Sequence, residues 1–196
     1  MSRAKRVGVL ALQGDFEAHR RALERAGATG VEVRTTAELE DLDGLVLPGG
    51  ETTTMLRLLA DENLFEPLAD FGRRRPIFGT CAGAILLARE VTHPVQESLG
   101  LMDLRVERNS YGTQLESHVA RLAPEEEFAR AAGPGEVEAV FIRAPRILRT
   151  GPGVAVYLRH RGDPVLVADG LHMAATFHPE LSSDARVHRL FFQRLC

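Results

Sequence analysis

This 196-residue sequence carries one lysine, Lys5, two cysteines, Cys81 and Cys196, and no apolar run long enough to span a bilayer. Each scarcity excludes something. Two cysteines make no disulfide framework, and Cys196, the last residue, is expected to fray rather than to bridge to Cys81. Neither a cysteine pair nor a convincing helical His-x3-His pair is present, so no metal site is expected. The glycines at 49 and 50 are not followed by the Lys-Ser/Thr ending of a phosphate loop. A net charge of −3 leaves no basic footprint for nucleic acid or an anionic membrane. The apolar stretch Val7-Gly8-Val9-Leu10-Ala11-Leu12 is too short for a membrane span. It ends in Gln13-Gly14-Asp15 rather than a small-residue cleavage site, and reads as the first buried strand of a cytoplasmic protein.

What is present is ordinary for a globular protein, 44% hydrophobic and 26% charged. A chain of this length can bury roughly 70% of its unfolded surface without staples. The first half alternates strand and helix signals. Residues 6–12 are nearly all apolar, as a strand covered on both faces requires. Asp15 is placed to cap a helix over 16–26 that buries Phe16, Leu23 and Ala26 and stops at Gly27. Short strands at 31–34 and 44–47, helices at 53–59 and 65–74, a strand at Ile77 and a helix after Cys81 continue the series. Repeated β-loop-α units imply a parallel sheet with right-handed crossovers. The second half is mostly strand-like, at 104–110, 117–122, 137–144, 154–159, 164–168 and 171–177, before a closing helix over 184–195. The expectation is one α/β domain over residues 1–196. It has three layers, with a mainly parallel central sheet flanked by helices and extended by antiparallel strands.

The chemistry gathers at Gly79-Thr80-Cys81-Ala82-Gly83, between the apolar run Pro76-Ile77-Phe78 and the helix former Ala84-Ile85-Leu86-Leu87-Ala88. A thiol on a sharp strand-to-helix turn sits at the carboxyl end of the sheet, where doubly wound folds bind ligands. The pattern Gly-x-Cys-x-Gly is the thiol counterpart of the hydrolase elbow. Glycines on either side let strand and helix approach closely, and the helix N-terminus favours a thiolate. A free cysteine is most often a small buried hydrophobe, and the pentapeptide alone leaves both readings open. His178 follows the apolar strand Met173-Ala174-Ala175-Thr176-Phe177, with Pro179 stiffening the step to Glu180. Residues i and i+2 of an extended chain point the same way, so Glu180 is placed to orient His178 toward the thiol. A surface ion pair is the plain alternative. The other histidines, His19, His93, His118, His160, His172 and His188, are expected at the surface or in packing. Pro48-Gly49-Gly50-Glu51-Thr52 offers backbone N–H groups to a ligand or is simply a turn.

Together these segments resemble the class I, triad-type glutamine amidotransferases, and most closely the glutaminase subunits of pyridoxal 5'-phosphate synthase. The resemblance covers almost the whole chain. It rests on Val9-Leu10-Ala11-Leu12-Gln13-Gly14, Leu47-Pro48-Gly49-Gly50-Glu51-Thr52-Thr53-Thr54-Met55, Phe78-Gly79-Thr80-Cys81-Ala82-Gly83 and Phe177-His178-Pro179-Glu180-Leu181. The Gln-Gly pair, Val106-Glu107-Arg108-Asn109-Ser110-Tyr111-Gly112 and Phe141-Ile142-Arg143-Ala144-Pro145 point to the vitamin B6 branch. Thr52 departs from the family's usual serine and keeps the hydroxyl.

The resemblance implies a flavodoxin-like fold and a Cys81–His178–Glu180 triad that hydrolyses L-glutamine to glutamate and ammonia. It implies an oxyanion site at the N–H groups of Gly50 and Ala82, and glutamine binding by Gly50, Glu51, Thr52, Arg108, Ile142 and Arg143. It also implies a partner: a (β/α)8-barrel synthase subunit that takes the ammonia through a tunnel within a large hetero-oligomer. Pyridoxal 5'-phosphate is then the product of the complex, and no cofactor is expected in this chain. The free subunit is expected to be idle until docking near Gln13-Gly14 turns the Gly49-Gly50 peptide. Three other readings differ in kind. A glutaminase of another pathway, such as imidazole glycerol phosphate synthase, does not account for the Glu-Arg-Asn-Ser and Ile-Arg-Ala-Pro segments. A cysteine hydrolase of the stress-protein kind uses a different base from His178-Pro179-Glu180. A non-catalytic scaffold leaves the intact Cys81, His178 and Glu180 unexplained.

Overall fold

The computed structural model describes residues 5–108 and 117–195. Asn109-Ser110-Tyr111-Gly112 of the resemblance, and Cys196, lie outside the described residues. The chain runs β1 (Arg6–Leu10), α1 (Phe16–Arg25), β2 (Thr29–Val33), β3 (Gly44–Leu47), α2 (Thr52–Asp61), α3 (Phe65–Gly72), β4 (Ile77–Thr80) and α4 (Ala82–Leu87). It continues through β5 (Ala88–Thr92), β6 (Met102–Glu107), β7 (His118–Leu122), α5 (Glu126–Ala132), β8 (Val137–Phe141) and β9 (Arg146–Thr150). It closes with β10 (Ala155–His160), β11 (Asp163–Ala168), β12 (Met173–Ala175), a 3-10 turn at Pro179–Leu181 and α6 (Arg186–Phe192).

The central sheet has the order β10-β11-β12-β4-β3-β1-β2. The strands from β12 to β2 pair in parallel, and β10 and β11 extend the sheet antiparallel, as the sequence predicts. Side chains alternate across it with period two. Val7, Val9, Val46 and Phe78 enter the layer that holds Leu23 of α1, Phe128 of α5 and Phe191 of α6. Leu10, Leu45, Leu47 and Ile77 enter the opposite layer with Met55 and Leu59 of α2, Leu68 of α3 and Leu86 of α4. Both faces are covered, which is why these strands read as continuous apolar runs. Among the described residues no helix is long and apolar enough to cross a membrane.

Several boundaries move. Asp15 caps α1 by accepting from the Ala18 N–H at 2.9 Å, but Phe16 is only partly buried. The helix expected over 53–59 runs Thr52–Asp61 because the Glu51 carboxylate caps it. The strand expected over 171–177 contracts to Met173–Ala175. β5, α5 and β9 are absent from the sequence reading. The helical run after Cys81 stops at Leu87, and Ala88 turns into a strand paired with β6, Val91 opposite Val106.

Candidate active site

Cys81 joins β4 to α4 with φ 49° and ψ −106°, a backbone conformation that L-residues rarely hold and that costs about 1–3 kcal/mol. Packing enforces it. A Cβ on Gly83 would lie 2.0 Å from the Leu47 carbonyl oxygen, and one on Gly79 would lie 2.3 Å from the Gly83 carbonyl oxygen. Only glycine therefore lets β3, β4 and α4 meet this closely. The Cys81 N–H donates to the Ala175 carbonyl at 2.8 Å, continuing the parallel ladder that aligns Ala175 with Thr80. The thiol is buried, and its sulfur lies 3.9 Å from the Ile142 carbonyl oxygen. Ala82 opens α4, where the first amides have no intrahelical acceptor.

β12, the neighbour of β4, carries the chain three residues past Ala175 to His178, whose N–H donates to the Val140 carbonyl at 2.8 Å. The His178 Nδ1–H donates to Glu180 Oε1 at 2.6 Å. The link is made by the 3-10 turn at Pro179–Leu181, not by the extended segment expected from the sequence. Proline at the first position presets that turn. Burial pushes the His178 imidazole down, but hydrogen bonding and charge at Cys81 and Glu180 outweigh it and hold its pKa up at about 10. Burial pushes the Glu180 carboxyl up, and His19 and His178 beside it more than offset that.

The Gly-Gly loop closes the third side. A Cβ on Gly49 would meet His178 Cε1 at 2.5 Å and Cys81 Cβ at 3.3 Å, so both side chains pack against the loop, and His178 is hydrogen-bonded to Cys81 as well as to Glu180. The Gly49 carbonyl oxygen packs on the α-carbon of Gly14, where a Cβ would sit 1.9 Å from it. Glu51 lies just outside. Its carboxylate accepts from the N–H groups of Thr53 at 2.9 Å and Thr54 at 2.7 Å, and faces Arg108 Nη2 at 3.3 Å. Thr52 is buried, and its hydroxyl donates to Gln96 Oε1 at 3.0 Å. Arg143 is exposed beside Ile142 with φ 46°. Cys81, His178, Glu180, Gly50 and the Ile142 carbonyl thus gather at the carboxyl ends of the central strands, with Glu51 and Arg108 paired at the border of the site.

Sequence reasoning missed what stands behind Glu180. His19 and His188 are fully buried. His19 Nε2 lies 3.3 Å from Glu180 Oε2 and 3.0 Å from Thr80 Oγ1, and His19 Nδ1 lies 3.0 Å from His188 Nε2. The signal was available in helical periodicity. His19 shares the buried stripe of α1 with Ala22 and Leu23, and His188 sits among Val187, Leu190 and Phe191 on α6.

The sequence and the fold both match known proteins. The model of the SNO glutamine amidotransferase family matches residues 9–196. The chain is similar to the pyridoxal 5'-phosphate synthase subunit PdxT of Solibacter usitatus (strain Ellin6076), 58% identical over 191 residues that cover 97% of this chain and 100% of the relative. It is similar to the subunit of the same name from Koribacter versatilis (strain Ellin345), 52% identical over 96% of this chain and 94% of the relative. A crystal structure of a glutamine amidotransferase superposes with a TM-score of 0.86 at 43% identity, covering 96% of this chain and 98% of that one.

Proposed function

This chain belongs to the SNO glutamine amidotransferase family, and from that premise we propose that it is the glutamine-hydrolysing subunit of a pyridoxal 5'-phosphate synthase. Cys81, His178 and Glu180 carry its chemistry. The whole chain acts as one glutaminase domain in the cytoplasm. It needs no cofactor of its own, because pyridoxal 5'-phosphate is the product of the complex. The observation that carries the reading is that the His178 ring is bonded to Glu180 Oε1 on one side and to Cys81 on the other, with the Gly49-Gly50 loop packed against both.

The steps follow from that arrangement. L-Glutamine binds beside the Glu51–Arg108 pair, whose opposite charges match its α-ammonium and α-carboxylate. Gly50, Thr52, Ile142 and Arg143 line the approach. Cys81 Sγ attacks the side-chain amide carbon, and the thiol proton resides on His178, which a raised pKa keeps ready to hold it. The oxyanion is met by the N–H groups of Ala82 and Gly50, donors worth about 3–4 kcal/mol each in comparable sites. His178 gives its proton to the amide nitrogen, ammonia leaves and a glutamyl thioester remains. Water, deprotonated by His178, then releases glutamate and restores the thiol. Glu180 stays ionised and holds the imidazolium throughout.

Free ammonia would be lost to solvent, so the partner is a synthase subunit, a (β/α)8 barrel in a large hetero-oligomer, that receives it through an internal path. The packing of Gly49 on Gly14 supports the idea that docking at the 13–14 loop resets the Gly49-Gly50 peptide and switches the site on. The test mixes the chain with its synthase and glutamine and follows glutamate release. Wild type is expected to turn over and Cys81→Ala to be inactive. Activity retained in Cys81→Ala would remove the nucleophile assignment, and a silent wild-type complex would remove the enzyme reading.

A further inference from the structure

The carboxylate of Glu180 has two oxygens in a dry site, its side chain 1% exposed. His178 occupies Oε1, and the group opposite Oε2 is His19 Nε2 at 3.3 Å. What His19 offers there depends on its tautomer, and His188 decides that. Between His19 Nδ1 and His188 Nε2, 3.0 Å apart, one nitrogen must donate. His188 Nδ1 has no hydrogen-bond partner among the described residues. If it carried the proton, a buried N–H would be orphaned, which is rarer and more costly than a bare lone pair. The His188 proton therefore sits on Nε2 and is donated to His19 Nδ1. This forces the His19 proton onto Nε2, where it is donated to Thr80 Oγ1 at 3.0 Å; the same ring edge lies 3.3 Å from Glu180 Oε2, which has no hydrogen-bond partner among the described residues.

We infer that His19, its tautomer set by His188, is a positioning residue of the glutaminase: its Nε2–H edge is the polar group that faces the otherwise unpartnered second oxygen of Glu180, and it favours the ionised carboxylate beneath His178. A proton on Glu180 Oε2 would meet this N–H edge rather than an acceptor, so the surroundings disfavour the neutral acid protonated on that oxygen. The inference rests on the triad proposed above. Both histidines are themselves neutral, because burial lowers them far more than nearby charges raise them. The other charged groups acting on the cluster are Asp15 on His19, Arg25 on His188, and His178 itself.

Two amide substitutions separate positioning from packing. Gln at position 19 reaches as far as Nε2 and can still present an N–H to Thr80 Oγ1 and the second oxygen of Glu180, whereas Asn ends at the Nδ1 level and cannot. In the complex with synthase, His19→Asn is expected to lower kcat by about 10- to 100-fold, by analogy with the loss of carboxylate partners that orient metal-bound histidines. KM for glutamine should stay unchanged. The bell of kcat/KM against pH should narrow from both sides, since Glu180 becomes easier to protonate and His178 easier to deprotonate. His19→Gln should recover most of the rate and the full width. If both variants lose activity only in proportion to their melting temperatures, with an unaltered pH profile, the inference is overturned. Without any substitution, 15N NMR of the wild type should show His19 as the Nε2–H tautomer, and the Nδ1–H tautomer would overturn it equally. Glu180→Gln is the control that distinguishes the two levels. Full activity there removes the triad, whereas an inactive Glu180→Gln beside a wild-type-like His19→Asn removes only the role of His19.

Discussion

Glu51 serves two neighbours at once, the open end of α2 and the guanidinium of Arg108. Burial pushes its carboxyl up, yet the N–H groups of Thr53 and Thr54 outweigh that and bring the pKa down to about 2. A carboxyl lowered on folding stabilises fully above its unfolded value of 4.5, and the benefit is lost as pH falls toward about 2. Glu51→Gln should cost about 1 kcal/mol at neutral pH, the usual worth of an N-cap, and raise KM for glutamine. Urea titrations should show the stability gap at neutral pH and its closure near the folded pKa; a gap that persists there would contradict the capping role. At this scale the sequence was legible where chemistry is local. Cys81, His178 and Glu180 announce themselves by their immediate neighbours. His19 and His188 do not, because they lie about 170 positions apart and only the packing of α1 against α6 joins them.

At the scale of elements, the site depends on how closely three backbones approach at the elbow. A methyl at position 83 would overlap the Leu47 carbonyl of β3 at 2.0 Å, a backbone atom that cannot swing aside. Gly83→Ala should therefore destabilise by at least the 1–3 kcal/mol or so of an overpacked core. Glutamine hydrolysis should fall further than stability does, because the shift acts on Cys81 directly. Thermal unfolding beside glutamate release checks this, and an unchanged melting temperature would refute it. The elbow itself could be read from its glycine spacing. β5 could not, since Ala84-Ile85-Leu86-Leu87-Ala88 has uniform helix propensity and only pairing with β6 ends the helix at Leu87. β9 was hidden because Arg146–Thr150 buries a single residue, Ile147. Across α5 only Phe128 is buried, behind an acidic start of Glu125, Glu126 and Glu127.

Across the whole molecule, the histidines set opposing limits on stability. Burial brings His188 down to about 3 and also lowers His19 and His172. A base lowered on folding leaves the unfolded chain binding more protons below its ordinary value of 6.5, so stability falls on acidification. His188, lowered to about 3, removes about 1.4 kcal/mol per pH unit across that window, and His19 and His172 act in the same direction. His178 acts the other way: raised to about 10, it stabilises fully below 6.5 and loses that as pH climbs through about 10. The melting temperature should peak between these limits and drop on going from about pH 6.5 to 5. His188→Leu should flatten the acid side and leave the alkaline side in place. A wild-type melting temperature that rises on acidification would contradict the burial of neutral histidine.

The parallel pairing of β4 with β12 also has a consequence in time. These two strands are hydrogen-bonded neighbours, Ala175 beside Thr80, but the chain makes them far apart, and at about 5–20 residues per second the second follows the first by roughly 5–20 s. Cys81 leaves the ribosome well before His178 and Glu180 have been made. The central sheet cannot zip through β4 until the C-terminal third returns to lie against it. On the proposed mechanism the thiol is therefore made before its base exists, and the ordering of synthesis itself guards Cys81.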